Sequence, residues 1–112
     1  RMDQIVGSLM YMAPEQLQLD STLDLRTDIY ALGVLLHQML TGTTPYSSKD
    51  SKDEIIRKIQ NEPLERLITI YPHVDNRLQK IIDIATSKNS DKRFKNCEAF
   101  INSLEEIDHA TN

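Results

Sequence analysis

The sequence has 112 residues, a length that suits one unit over residues 1–112 and lets roughly two thirds of the unfolded surface become buried. Its 17 Asp and Glu outnumber 13 Lys and Arg, a net charge of −4 with no basic cluster, which excludes an electrostatic footprint for nucleic acid. The longest apolar run, Ile29 to Leu36, is too short to cross a membrane, and the lone Cys97 excludes an internal disulfide; with no secretory signal at the start, the expected setting is cytoplasmic.

Helix signals then follow one another. Ala13 to Leu19 reads as a short helix, with Pro14 at the first position, where a missing N–H costs nothing. Asp20 to Arg26 is polar and turn-like. Thr27 is the expected N-cap of a helix reaching about Leu40, with Asp28 at its positive end and Gly42 just past its close. Ile29, Tyr30, Leu32, Val34, Leu35, Leu36, Met39 and Leu40 run round nearly the whole of that helix, so it is predicted to be buried on all sides as a central pillar.

Thr43 to Lys49 is a loop containing Pro45. Ser51 and Glu54 have capping-box spacing before a helix to about Gln60, with Ile55, Ile56 and Ile59 on one face. Asn61 to Pro72 is broken by two prolines, although Leu64, Leu67 and Ile68 fit one helical turn. Asp75 is the predicted cap of a helix carrying Leu78, Ile81, Ile82 and Ala85. Lys88 to Lys95 is a polar connection, and Asn96 starts a last helix with Cys97, Phe100, Ile101, Leu104 and Ile107 as its apolar stripe. No alternating strand pattern and no internal repeat is present, so the expected fold class is all-α.

Three stretches in this order, GSLMYMAPEQ, TDIYALGVLLHQMLTGTTPY and KNSDKRF, resemble the last part of a serine/threonine protein kinase catalytic domain. The resemblance runs along essentially the whole chain and implies about five helices around a buried central one, the helical part of the kinase large lobe. The Gly-rich loop, the Val-Ala-Ile-Lys strand, the His-Arg-Asp loop and the Asp-Phe-Gly site have no counterparts here. Arg1 before Met2 also reads as a chain cut from something longer, opening inside the activation segment.

The resemblance implies roles for particular residues. Gly7, Ser8, Leu9, Met10, Tyr11 and Met12 would be substrate-binding, the Ser8 hydroxyl facing the catalytic centre and Leu9 to Met12 lining the protein-substrate groove. Ala13, Pro14, Glu15, Asp28, Gly33 and Arg93 would be structural. In the family, the glutamate of Ala-Pro-Glu pairs with an arginine between the last two large-lobe helices, and Glu15 and Arg93 stand at those places. If that pair is buried, removing one partner should cost on the order of 3–5 kcal/mol. The family's usual Asp-Pro turn ahead of the arginine is replaced by Asn89 and Ser90, where Asn keeps local hydrogen bonding but the proline is gone. The family's aspartate at Asp28 serves a catalytic loop absent here, which leaves it helix-terminal electrostatics. Gly33 should admit another backbone closely, since glycine within a helix otherwise costs about 1 kcal/mol against alanine.

Plainer readings cover the rest. His37, His73 and His109 lack metal-ligand spacing and read as surface or packing residues, and no metal site is expected. Cys97 reads as a small core hydrophobe, and the four tyrosines show no stacking period. Ser47, Ser48 and Ser51 are phosphorylatable only in the sense that any serine-rich loop is. The functional expectation is therefore a fragment of a serine/threonine protein kinase. The parent would use ATP and Mg²⁺ to phosphorylate protein substrates; the fragment would carry no catalytic residue, bind no cofactor and be inactive alone. The alternative is a stand-alone, non-catalytic interaction module. With preceding helices missing, the face of Ile29, Leu32 and Leu36 is expected to lie open and to promote self-association.

Overall fold

The structure is a computed structural model that describes residues 9–18, 24–47 and 49–110, the side chains of 108–110 excepted. Gly7, Ser8, Ser48 and the His109 side chain lie outside the described residues. Among the described residues all regular structure is helical, as the apolar periodicities predict. Five α-helices are formed: α1 (Leu25–Thr41), α2 (Lys52–Asn61), α3 (Leu67–Ile70), α4 (Asn76–Ala85) and α5 (Cys97–Ala110). Two 3₁₀ turns accompany them, Pro14–Leu17 and Ser90–Lys92. The short helix expected from Ala13 is the first of these, and the polar connection after Lys88 contains the second.

Local chemistry fixes most helix ends. Ser51 Oγ accepts from the Glu54 N–H at 3.2 Å, Asp75 Oδ1 from Arg77 N–H at 2.9 Å, and Asn96 Oδ1 from Ala99 N–H at 2.8 Å, each side chain replacing a backbone partner that a first turn lacks. Helix α1 ends at Gly42, whose φ of 72° is the left-handed geometry glycine adopts freely, with its N–H on the Gln38 carbonyl at 2.8 Å. Its start corrects the sequence reading. Asp24, not Thr27, is the N-cap, accepting from Arg26 N–H at 2.8 Å. Thr27 is buried inside the first turn because its hydroxyl is used by a tertiary contact with Glu15 instead.

Helix α1 is central but not buried on every side. At about 100° per residue, Ile29, Gly33, His37, Tyr30, Thr41, Val34 and Thr27 fall within an arc of roughly 160°, and these are its buried residues. Leu32, Leu35 and Met39 lie on the opposite arc and are 43%, 40% and 73% exposed. They line open apolar hollows and are only partly covered. Ile29, expected on the open face, is fully buried against Ile81, Ala85 and Phe100.

The buried arc enters two of three core clusters. Ile29 meets α4 and α5, and Tyr30 and Val34 meet Ala13 and Leu64; the third cluster joins Leu9 to Tyr46 and to Ile55 and Ile59 of α2. A Cβ built on Gly33 would stand 2.7 Å from Thr86 Cγ2 and 2.8 Å from Ala85 Cβ, so glycine is what lets the end of α4 lie this close to α1. His37, read as surface or packing, is buried and joins α1 to the loop ahead of α3 through Nε2 and the Glu65 carbonyl at 2.8 Å. A carbonyl only accepts, so Nε2 carries the proton, and Nδ1 is buried without a partner. Gln79 of α4 accepts the Leu67 N–H at 2.7 Å, seating α3 on α4.

Candidate functional site

Residues 9–18 form a strap across the helical base. Leu9 is buried among Tyr46, Ile55 and Ile59, with Met12 and Leu17 packed beside them, while Ala13 is fully buried against Tyr30, Val34 and Leu64. Pro14 opens the 3₁₀ turn, and Gln16 Oε1 returns to accept the Ala13 N–H at 2.8 Å. The Tyr11 hydroxyl donates to Gln38 Oε1 of α1. Between strap and helix lies a cleft of about 210 Å³ lined by Tyr11, Met12, Gln16, Thr27, Asp28 and Ala31. It adjoins a wider hollow of about 460 Å³ where Tyr11 and Asp28 face Leu32 and Leu35. Met10 is half-buried at the start of the strap.

The strap is anchored by Glu15 and Arg93. Arg93 Nη1 donates to Glu15 Oε2 at 2.6 Å and Nη2 to Oε1 at 2.8 Å, with the arginine side chain fully buried and the glutamate side chain 14% exposed. The remaining guanidinium N–H groups go to carbonyls: Nη1 to Arg26 at 3.0 Å, Nε to Ser87 at 2.8 Å and Nη2 to Lys88 at 3.5 Å. All five donors of the fork are thus directed at oxygen, which offsets the cost of burying the charge. Thr27 Oγ1 gives Glu15 Oε2 a further hydrogen bond at 2.7 Å. Burial alone would raise the Glu15 pKa, but the hydrogen bonds from Arg93 and Thr27 outweigh it and hold the carboxyl at about 2.

Beneath the guanidinium lies the Tyr30 ring, its centroid 4.9 Å from Arg93 Cζ, a cation–π contact that desolvation strengthens. Burial pushes the Tyr30 hydroxyl up to about 12, although the Arg93 charge pulls the other way. The polar loop that precedes Arg93 holds its shape without proline: Asn89 Oδ1 accepts from Asp91 N–H at 3.0 Å, and Asp91 pairs with Arg26 at 2.9 Å. One cation therefore ties the strap, the start of α1, the end of α4 and the loop before α5 into a single junction.

A family model described as the protein kinase domain matches residues 1–107. The chain belongs to the protein kinase family. It is 37% identical over 101 residues to the serine/threonine-protein kinase Pkn1 of Myxococcus xanthus, covering 90% of this chain and 14% of that protein. It is equally 37% identical over 101 residues to the peroxide stress-activated histidine kinase mak3 of Schizosaccharomyces pombe, covering 89% of this chain and 4% of that one. The serine/threonine-protein kinase PknL of Mycobacterium tuberculosis is 31% identical over 103 residues, 92% of this chain and 25% of the relative. The chain thus spans a quarter or less of the length of these curated kinases.

Seen as part of a kinase, the residues singled out in the sequence divide unevenly. Leu9 to Glu15 lie in one continuous strap, and the structure brings Glu15 to Arg93. Asp28 is exposed in the first turn of α1, beside the smaller cleft, and Gly33 is on the far, buried arc. Gly7 and Ser8 fall outside the described residues. Cys97 is half-buried, packed against the core cluster of Ile29, Ile81, Ala85 and Phe100 at the edge of an apolar groove. Thr27, Tyr30 and the Arg26 carbonyl were missed as members of the junction. Their only sequence signal is proximity to Asp28, since each is recruited by contacts from distant parts of the chain. No group of three or more His, Cys, Asp or Glu stands together as a metal site among the described residues, and no helix there is long and apolar enough to cross a membrane.

Proposed function

We propose that this chain forms the substrate-groove and scaffold portion of a serine/threonine protein kinase. The whole enzyme would transfer the γ-phosphate of ATP, with Mg²⁺, to hydroxyl groups of a protein substrate in the cytoplasm. The observation that carries this reading is the bidentate Glu15–Arg93 pair, which holds the strap at a fixed height above α1. A strap so held is a rigid wall against which a peptide can lie, with Tyr11 and Met12 at the adjoining cleft. Phosphoryl transfer requires phosphates, metal and nucleophile to be positioned together. In this reading ATP and Mg²⁺ belong to the whole kinase, no step is routed through the residues described here, and the chain by itself is inactive.

The test has two arms. The purified chain, given labelled ATP, Mg²⁺ and a generic protein substrate, should transfer no phosphate above background; ATP turnover would refute its inactivity. A whole kinase that contains this chain should phosphorylate serine or threonine. Acid-labile phosphohistidine as its product would replace the serine/threonine reading with one nearer to the mak3 name.

A second reading, a stand-alone interaction module, is favoured by the open arc of α1. Leu32, Leu35 and Met39 join Cys97, Ile101 and Leu104 of α5 around an apolar groove of about 280 Å³. Apolar surface of this kind favours contact with another protein or a second copy of the chain.

A further inference from the structure

Lys88 sits half-buried between α4 and the second 3₁₀ turn, away from the strap and its clefts. Its Nζ donates to the Tyr30 hydroxyl at 3.2 Å and to the Lys58 carbonyl in the last turn of α2 at 3.4 Å, and stands 5.6 Å from the Tyr30 ring centroid. No ion pair joins it to a carboxylate among the described residues. The charged groups around it come from every neighbouring element. Arg93 shares the Tyr30 ring with it, Glu62 at the end of α2 is already paired to Arg57 at 3.2 Å, and Arg66 and Asp83 pair with each other at 2.8 Å.

This ammonium is therefore taken out of water, set beside another cation and given no anion of its own. Burial first, and the Arg93 charge second, pull the amine down to about 8, with Glu62 opposing weakly from a distance. The residue is nevertheless only half-buried. Lys88 lines a solvent-open cleft of about 240 Å³ whose walls include Leu64, Gln79, Ile82 and Ser87, with room for a small electrophile.

We propose that Lys88 is a modification site: a nucleophilic amine that accepts an acyl group from an activated acyl donor entering this cleft. The neutral amine attacks the acyl carbon through its lone pair, forming the C–N bond. The bond from that carbon to a phosphate oxygen or a thioester sulfur breaks, the leaving group departs with the electron pair, and the surplus amine proton passes to water. The product is an uncharged amide. Acylation removes the positive charge next to Arg93 and two of the ammonium's three N–H donors, so it acts on the junction that anchors the strap.

Acetyl phosphate and acetyl-coenzyme A, each limiting, are incubated separately with the folded chain, and labelled peptides are quantified by mass spectrometry. At about pH 7.5 Lys88 should be acetylated roughly tenfold faster than the exposed Lys52, Lys80 and Lys95, because burial and the Arg93 charge lower its amine beside the cleft. Its rate should be half-maximal at about pH 8. The arm in which Lys88 leads identifies the donor class. Labelling of Lys88 no faster than the exposed lysines in both arms overturns the proposal. So does a lead that persists in about 6 M guanidinium, where no cleft exists.

Discussion

Arg93 and Glu15, 78 residues apart in sequence, share two hydrogen bonds of 2.6 and 2.8 Å around a guanidinium that has no exposure to solvent. Contact between two such distant charges cannot be replaced piecemeal. Glu15→Ala leaves a buried cation without its anion and should lower unfolding free energy by about 3–5 kcal/mol. Arg93→Lys should be nearly as damaging, because one ammonium cannot serve the carboxylate fork and the three carbonyls together. Replacing both residues by Met should cost less than either single change. Urea denaturation of the four proteins checks this; equal stability of Glu15→Ala and the parent sequence would reduce the pair to a surface contact.

The same pair sets an acid limit. Glu15 titrates near 2 when folded and near 4.5 otherwise, so the unfolded chain binds the proton more readily. The resulting stability is complete above about pH 4.5 and is lost as pH falls through about 2. Urea midpoints measured across that window should fall for the parent chain, and fall less steeply for Glu15→Gln, which has no proton to bind.

Gly33→Ala should destabilise the chain by about 1–3 kcal/mol, against the usual helix-propensity gain. The added methyl meets Ala85 Cβ, a side-chain atom bonded directly to the α4 backbone, which moves only if the helix does. Thermal unfolding of Gly33→Ala, with and without Ala85→Gly, is the measurement. Recovery in the double variant assigns the cost to this contact, and an unchanged or raised midpoint in the single variant rules the contact out.

His37→Leu fills the same space but leaves the Glu65 carbonyl without its donor. A loss of about 1–3 kcal/mol is expected. His37→Gln, which can place an N–H near the position of Nε2, should retain part of it. Equal losses in the two variants would show that ring packing, not the hydrogen bond, fixes the loop before α3.

The exposed arc of α1 should make the chain self-associate at high concentration, and Leu35→Glu together with Met39→Glu should return it to a monomer by placing charge on the apolar surface. Sedimentation equilibrium distinguishes the outcomes. A clean monomer for the unaltered chain at high concentration would end the interaction-module reading.

Much of the helical frame was readable because its signals are local. Ser51, Asp75 and Asn96 each declare a helix start through a hydrogen bond no more than three residues away. Thr27 misled for a tertiary reason: its hydroxyl, suited to a cap, is turned to Glu15, and Asp24 takes the cap. The pillar misled for another, since a helix apolar all round carries no polar gap to say which arc is covered. The encounter of Glu15 with Arg93 came only from resemblance to kinases, because nothing local couples two charges so far apart. Lys88 was invisible in the polar run that contains it. Its character depends on Tyr30 beneath it and Arg93 beside it, neither of which its neighbours in sequence reveal.

The Arg93 junction has a consequence for a broken chain. Thr43 and Thr44 form an exposed turn just beyond α1, open to a protease. A cut there would separate Glu15, Tyr30 and Ile29 from Arg93, Leu64 and Ile81 covalently while every contact between them persisted. The two halves should then migrate together until denatured, as a heterodimer that one peptide bond had previously disguised.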